Sequence, residues 1–218
     1  THTHMDHSPA SDWLKELTSA PIFGALPRPL SGGVPVESSQ ENFSPDIKIS
    51  DGGKIAGPGW TLEAVYTPGH MSNHHCFTLR EGNVFFSGDH VMGWNTTIVS
   101  PPDGNMREYL DSLRICIDRD EAVYLPGHGP EIFKPKPFVR AYLTHRLMRE
   151  GEIAKCLESG ATTIAEMVRR MYTHLPEKMY GAASRSVLAH MEHMVETKRV
   201  ECDGPVVIDS VFAPAARN

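Results

Sequence analysis

THTHMDH, residues 1–7, places His2, His4, Asp6 and His7 within seven positions. Alternate residues of an extended segment face the same side, so His2 and His4 can share one ion. Asp6 and His7 follow at the turn out of that segment and can face a second ion beside the first. Imidazole and carboxylate donors suit zinc and similar first-row metals. A leftover purification tag or a surface histidine run is the alternative reading. An aspartate at this spacing speaks against the tag.

Working outward, three later stretches repeat one device: TPGH (67–70), FFSGDH (85–90) and YLPGHG (124–129). Each follows an apolar or alternating run that reads as a strand: WTLEAVYT (60–67), NVFFSGD (83–89) and AVYLPGHG (122–129). CFTL (76–79) is a further strand, joined to the next by a turn at Arg80–Asn83. In each stretch glycine lets the chain turn sharply, so that His70, Asp89 or His128 projects from a strand end. A lone histidine is more often structural. Three such turns in order after HxHxDH are specific, and they suit an α/β scaffold presenting ligands along one edge.

The remaining segments divide the chain in two. Residues 10–17 read as a short helix capped by Ser8 or Ser11. Residues 20–59 are Gly/Pro/Ser-rich, a connecting region with hairpins in which IKIS and KIA are short strands. MREYLDSLRICI (106–117) has helical periodicity. KPKPF (134–138) reads as a linker. Beyond it come an amphipathic helix at 138–158, a capping-box pair at Thr163 and Glu166, a helix at 181–198 and a hairpin in RVECDGPVVIDSVF (199–212). The expected domains are therefore 1–135, carrying the chemistry, and 136–218, three helices and a hairpin of winged-helix type.

At 218 residues and 40% hydrophobic content the chain has ample core for one large or two small domains. No apolar run is long enough to span a bilayer and no signal peptide is visible. Cys76, Cys116, Cys156 and Cys202 form no CxxC pair, which suits inert thiols in a reducing, cytoplasmic setting. The net charge of −6 is uneven: residues 1–135 hold 9 Lys/Arg against 17 Asp/Glu, and residues 136–218 hold 12 against 10. The first part does not look like a nucleic-acid surface.

The motif order THTHMDH, TPGH, SGDH, PGHG resembles the metallo-β-lactamase superfamily of binuclear hydrolases. The resemblance implies that His2, His4 and His70 hold one metal ion, that Asp6, His7 and His128 hold another, and that Asp89 bridges them. It implies an αββα sandwich. TPGHMSNHH, FFSGDHVMGWNTTIVSPPDG, MREYLDSL, YLPGHGPEI and LTHRLMREGEI are similar to the β-lactamase-like protein 2 branch, which carries a C-terminal winged helix. Animal members of that branch are associated with single-stranded endoribonuclease activity, and related branches include glyoxalase II-like and polyketide thioesterases. In the superfamily the HxHxDH motif follows several strands and a helix. The resemblance therefore implies that the first strands of the fold lie outside this sequence. It also implies an uncovered apolar sheet edge and face, with residues 1–218 alone poorly soluble or dependent on a partner segment.

Two ions about 3.5–4 Å apart can share a water, lower its pKa and polarise an ester or thioester carbonyl. Zinc is the expected metal, with iron or manganese as alternatives. Asp6 is the candidate to orient the nucleophile and take its proton. His74 is a candidate proton donor to the leaving group, or a support for the ligands, and His75 would point the opposite way. His90 reads as a supporting residue, the loop 93–97 as a lining of the substrate entrance in which Trp94 is either part of that lining or, slightly favoured, packing, and His145 and Arg146 as a tie between the C-terminal module and the catalytic domain or a contact to a substrate anion. The expected partner is a small acyl substrate, with single-stranded RNA as the alternative. A homo-oligomer is allowed, and a non-catalytic metal-binding interaction protein is the contrasting class.

Overall fold

The computed structural model describes residues 1–30, 39–40 and 42–216. Its centre is a five-stranded mixed sheet in the order β3 (Lys54–Gly57), β4 (Trp60–Tyr66), β5 (His75–Leu79), β6 (Val84–Gly88), β7 (Val123–Pro126). β3, β4, β5 and β6 pair antiparallel in sequence, and β7 lies parallel to β6. β4, β6 and β7 consequently run the same way, and their C-terminal ends, which carry TPGH, SGDH and PGHG, share one edge of the sheet.

Alternation along the strands sets the layers. Val65, Cys76, Phe85 and Tyr124 face a core closed by Leu110, Leu113 and Cys116 of α2 (Met106–Ile117) and by Val139 and Tyr142 of α3 (Pro135–Glu158). Phe77, Leu79 and Phe86 face the other way and are half-buried. This sheet-and-helix layer, with its C-terminal winged helix, has the α/β class expected from the sequence. Asn105 caps α2 by accepting from the Glu108 amide at 3.0 Å.

The C-terminal module packs α3 against α4 (Ile164–Met171) and α5 (Tyr180–Glu196), with the hairpin β8 (Val200–Cys202) and β9 (Phe212–Pro214). The Thr163–Glu166 capping box is formed. Ile153, Ile164, Met167, Val187, Met191 and Phe212 make a second core.

Several local expectations are corrected. KPKPF is not a linker: Pro135 and Pro137 sit in the first turn of α3, where a missing amide costs nothing and a fixed φ suits the helix. The expected 135/136 division falls inside that turn. The buried face of α3 (Val139, Tyr142, Arg146, Glu150, Ile153, Leu157) serves both cores and is charged in its middle. Neither Ser8 nor Ser11 caps α1 (Ala10–Thr18); Pro9 precedes it without a side-chain cap, and Ser8 Oγ donates to the His4 carbonyl at 3.3 Å. In the connecting region β1 (Phe23–Gly24) pairs parallel with β2 (Ile47–Lys48), so among the described residues β3–β4 alone is a hairpin there. Residues 31–38 and 41 of that region lie outside the described residues.

Glu150 accepts from His193 Nδ1 at 2.6 Å and from Arg199 Nη1 at 2.7 Å, tying α3 to α5 and the hairpin. Burial opposes its ionisation, but hydrogen bonds from His190, His193 and Arg199 prevail and hold the carboxyl well below its ordinary value. Its contribution to stability is therefore present in full above about pH 5 and shrinks as pH falls below the unfolded carboxyl value of about 4.3. Glu150→Gln is expected to cost about 2–3 kcal/mol at pH 7, with a smaller gap to the wild type at pH 3. Urea midpoints at the two pH values check this, and an equal gap at both would refute it.

Candidate metal centre

Residues 1–4 are extended as the alternation requires. The Thr1 carbonyl accepts from the His75 amide at 2.9 Å, the Thr3 carbonyl accepts from the Gln40 amide at 2.8 Å, and His4 bridges Ser39. The chain then turns, with the His7 and Ser8 amides donating to the His4 carbonyl. This brings the segment to the edge where β4, β6 and β7 end.

Two donor clusters result. His2, His4 and His70 converge, with His2 Nε2 2.8 Å and His70 Nε2 3.1 Å from His4 Nδ1. Asp6, His7 and His128 form the second: His128 Nε2 lies 3.1 Å and His7 Nε2 3.6 Å from Asp6 Oδ2. Asp89 stands between them, 3.3 Å from His7, 3.4 Å from His128 and 3.9 Å from His70. All seven sequence candidates are thus brought together.

The backbone makes room for this. A Cβ on Gly127 would stand 2.4 Å from Asp89 Oδ1, and one on Gly69, whose φ is 132°, would stand 2.3 Å from the Tyr109 backbone. Only glycine fits either place.

Divalent ions fit these residues. His7 Nε2 and Asp89 Oδ1 are buried 3.3 Å apart without a well-formed hydrogen bond to either, an arrangement costly without a bound group. Three imidazole nitrogens crowd one point, which a single cation would satisfy at once. Burial, then the neighbouring His70, pushes the His4 imidazole down to about 4, so the ring is neutral and carries a lone pair. Burial raises the Asp89 carboxyl, but His7, His70 and His128 together outweigh it and keep the group below its usual value. His70 Nδ1–H donates to the Ile98 carbonyl at 2.6 Å, which fixes the tautomer and turns Nε2 to the cluster.

His74 does not fit a proton donor. It is fully buried, its Nε2 accepts from the Asp89 amide at 3.1 Å, and its Nδ1–H donates to Thr67 Oγ1 at 2.9 Å. It holds the backbone of Asp89. His75 points the opposite way, as alternation requires, with Nδ1–H on the Asn73 carbonyl at 3.0 Å. His90 is buried against Tyr109, its ring pushed down to about 3, chiefly by burial. Trp94 is not packing: it is 71% exposed and stacks parallel to His128 at 6.3 Å.

Sequence reasoning named Arg146 as a tie but not what it holds behind the donor clusters. Arg146 reaches from α3, donates to the Thr97 carbonyl and lies 5.1 Å over the Tyr109 ring. Thr97 Oγ1 in turn donates to the Asp89 carbonyl at 2.6 Å. Of the pair His145 and Arg146, the arginine is buried and ties α3 to the centre, while the histidine is exposed.

All four cysteines are free. Among the described residues no helix is long and apolar enough to cross a membrane.

Residues 1–128 match the model of the metallo-beta-lactamase superfamily, and residues 163–205 match the beta-lactamase associated winged helix domain. The chain is 31% identical to the beta-lactamase-like protein 2 homolog of Caenorhabditis elegans, over 92% of its own length and 65% of the relative's. It is 30% identical to an atrochrysone carboxyl ACP thioesterase of Aspergillus fumigatus, over 88% and 61%. It thus spans less than two thirds of either relative. A beta-lactamase domain protein from Burkholderia ambifaria shares the fold, with a TM-score of 0.69 at 21% identity over 82% of this chain and 54% of that one. From its ordered ligand motifs, its sheet edge and these matches, the chain belongs to the metallo-beta-lactamase superfamily and carries the associated winged helix.

Proposed function

We propose that this protein is a binuclear metal-dependent hydrolase of ester or thioester bonds. The observation that carries the reading is the pair of donor clusters with Asp89 between them. His2, His4 and His70 would hold one ion, Asp6, His7 and His128 the other, and Asp89 both; zinc suits this nitrogen-rich set, with iron or manganese as alternatives. When bound, such a pair supplies Lewis-acid polarisation of the carbonyl and a water acidic enough to attack near neutral pH.

The chain's own residues do the rest. The Asp6 carboxylate, 59% exposed at the mouth of the site, is placed to orient the attacking water and accept its proton. Trp94, stacked on His128, offers an apolar plate beside the opening. His74, Thr97 and the Ile98 carbonyl keep Asp89 and His70 in place. Four free thiols suit a cytoplasmic setting.

The test is a panel of acyl-CoA thioesters, S-lactoylglutathione and labelled single-stranded RNA, offered to zinc-loaded protein. Thioester turnover that disappears on chelation is expected. RNA cleavage that survives repurification, with no thioester turnover, would replace this reading by a nuclease, and inactivity on the whole panel would favour a metal-binding interaction protein.

A further inference from the structure

A cavity of ≈ 300 Å³ abuts the histidine cluster, for His4 and His70 line it. Its wall is otherwise largely apolar: Leu26, Pro27, Leu30, Phe43, Met71 and Ile98. Leu26 is 50% and Ile98 57% exposed, so two large apolar side chains face water beside the centre. Exposed apolar surface gathered around a concave site marks a place for an apolar ligand.

The charges in the wall point the same way. Apart from the two histidines, the charged lining residues described are Arg28 and Asp103. The Arg28 guanidinium is spent on both oxygens of Glu108, at 2.9 and 2.5 Å. The Asp103 carboxylate accepts from the Ser72 amide at 2.8 Å. Among the described lining residues, then, no unpaired Lys or Arg is available to a phosphate, and the one carboxylate in the wall, Asp103, disfavours a polyanion.

We infer that this cavity is the acyl subsite of the reaction proposed above, on which the inference rests, and that it selects an uncharged, apolar acyl chain. The scissile carbonyl lies at the His4–His70 end and the chain runs along Phe43, Leu26 and Ile98. A methylene displaces roughly the volume of one water, about 30 Å³, so ≈ 300 Å³ accommodates roughly ten carbons. Short acyl groups leave the wall wet, and longer ones project into solvent.

A series of acyl-pantetheine thioesters from acetyl to dodecanoyl tests the length dependence. kcat/KM is expected to rise about fourfold per added methylene and to level off near ten carbons. Leu26→Trp, a change at an exposed position that narrows the cavity, is expected to cut the decanoyl-to-acetyl preference at least tenfold. A flat series, or an unchanged preference in the variant, would overturn the inference while leaving the hydrolase reading intact. Calorimetric binding of decanamide to the purified protein needs no reaction. Leu26-dependent binding without any thioester turnover would keep the subsite and refute the reaction. Failure of decanamide to bind, or its displacement by single-stranded RNA, would refute the subsite.

Discussion

Asp6→Ala is expected to lower turnover by about 10²–10⁴-fold, the range for removing a positioned general base, and to leave the melting temperature essentially unchanged. The two halves of this expectation come from one fact. The Asp6 side chain is 59% exposed, so the fold gains little from it, and surface substitutions usually move stability by no more than about 0.5 kcal/mol. Yet its Oδ2 lies 3.1 Å from His128 and 3.6 Å from His7, inside the second donor cluster. On the proposed reading, an exposed acid held against two imidazoles is expected to contribute chemistry rather than packing. Turnover and bound metal measured on the same folded sample decide the matter. A variant with wild-type turnover and full metal content would remove Asp6 from the mechanism.

Arg146→Met is expected to weaken metal binding about 10–100-fold, as loss of an outer support does, and to cost about 1–3 kcal/mol of stability. Arg146 touches no ligand. It holds the Thr97 carbonyl, Thr97 holds the Asp89 carbonyl, and the next residue, Ile98, supplies the carbonyl that orients His70. One guanidinium therefore steadies the loop that serves the shared carboxylate and a ligand of the first cluster. Methionine keeps much of the apolar stem and loses the donor. Arg146→Lys should recover part of the affinity, because an ammonium can still donate but cannot lie flat on Tyr109. Competition with a chelator of known affinity reads the effect directly. An unchanged dissociation constant in Arg146→Met would show that the loop holds itself.

The candidate metal-binding residues were legible in the sequence because each is a local event. Alternation in THTHMDH and a glycine before His70, Asp89 and His128 are properties of a few adjacent residues, and parallel strand ends gather such turns without further specification. The strands and α2 were legible for the same reason. Of the Arg146–Thr97 brace only Arg146 was legible, as a tie: its partner Thr97 is 49 residues away, and nothing at either position announces the other. Trp94 was left between packing and the entrance, with packing favoured because a large aromatic side chain is usually buried, yet it stands exposed with its ring parallel to His128. His74 was left open between proton donor and support, and the structure buries it with both ring nitrogens hydrogen-bonded. KPKPF misled because proline punctuates loops and also opens helices. The apolar periodicity of residues 138–158 decides between the two, and the prolines themselves do not.

α3 is one uninterrupted helix from Pro135 to Glu158, and its buried stripe carries Arg146 and Glu150 four residues apart. Arg146 grips the metal-site loop and Glu150 grips the winged helix. Inserting one residue between them would turn the rest of the helix by about 100° and advance it about 1.5 Å, taking Glu150 off the face shared with Arg146. A loop between modules can grow or shrink at little cost, but this connection works as a splined shaft, cut to a fixed length. Natural variation in chain length should therefore collect in the loops around the site and spare the interval between these two residues.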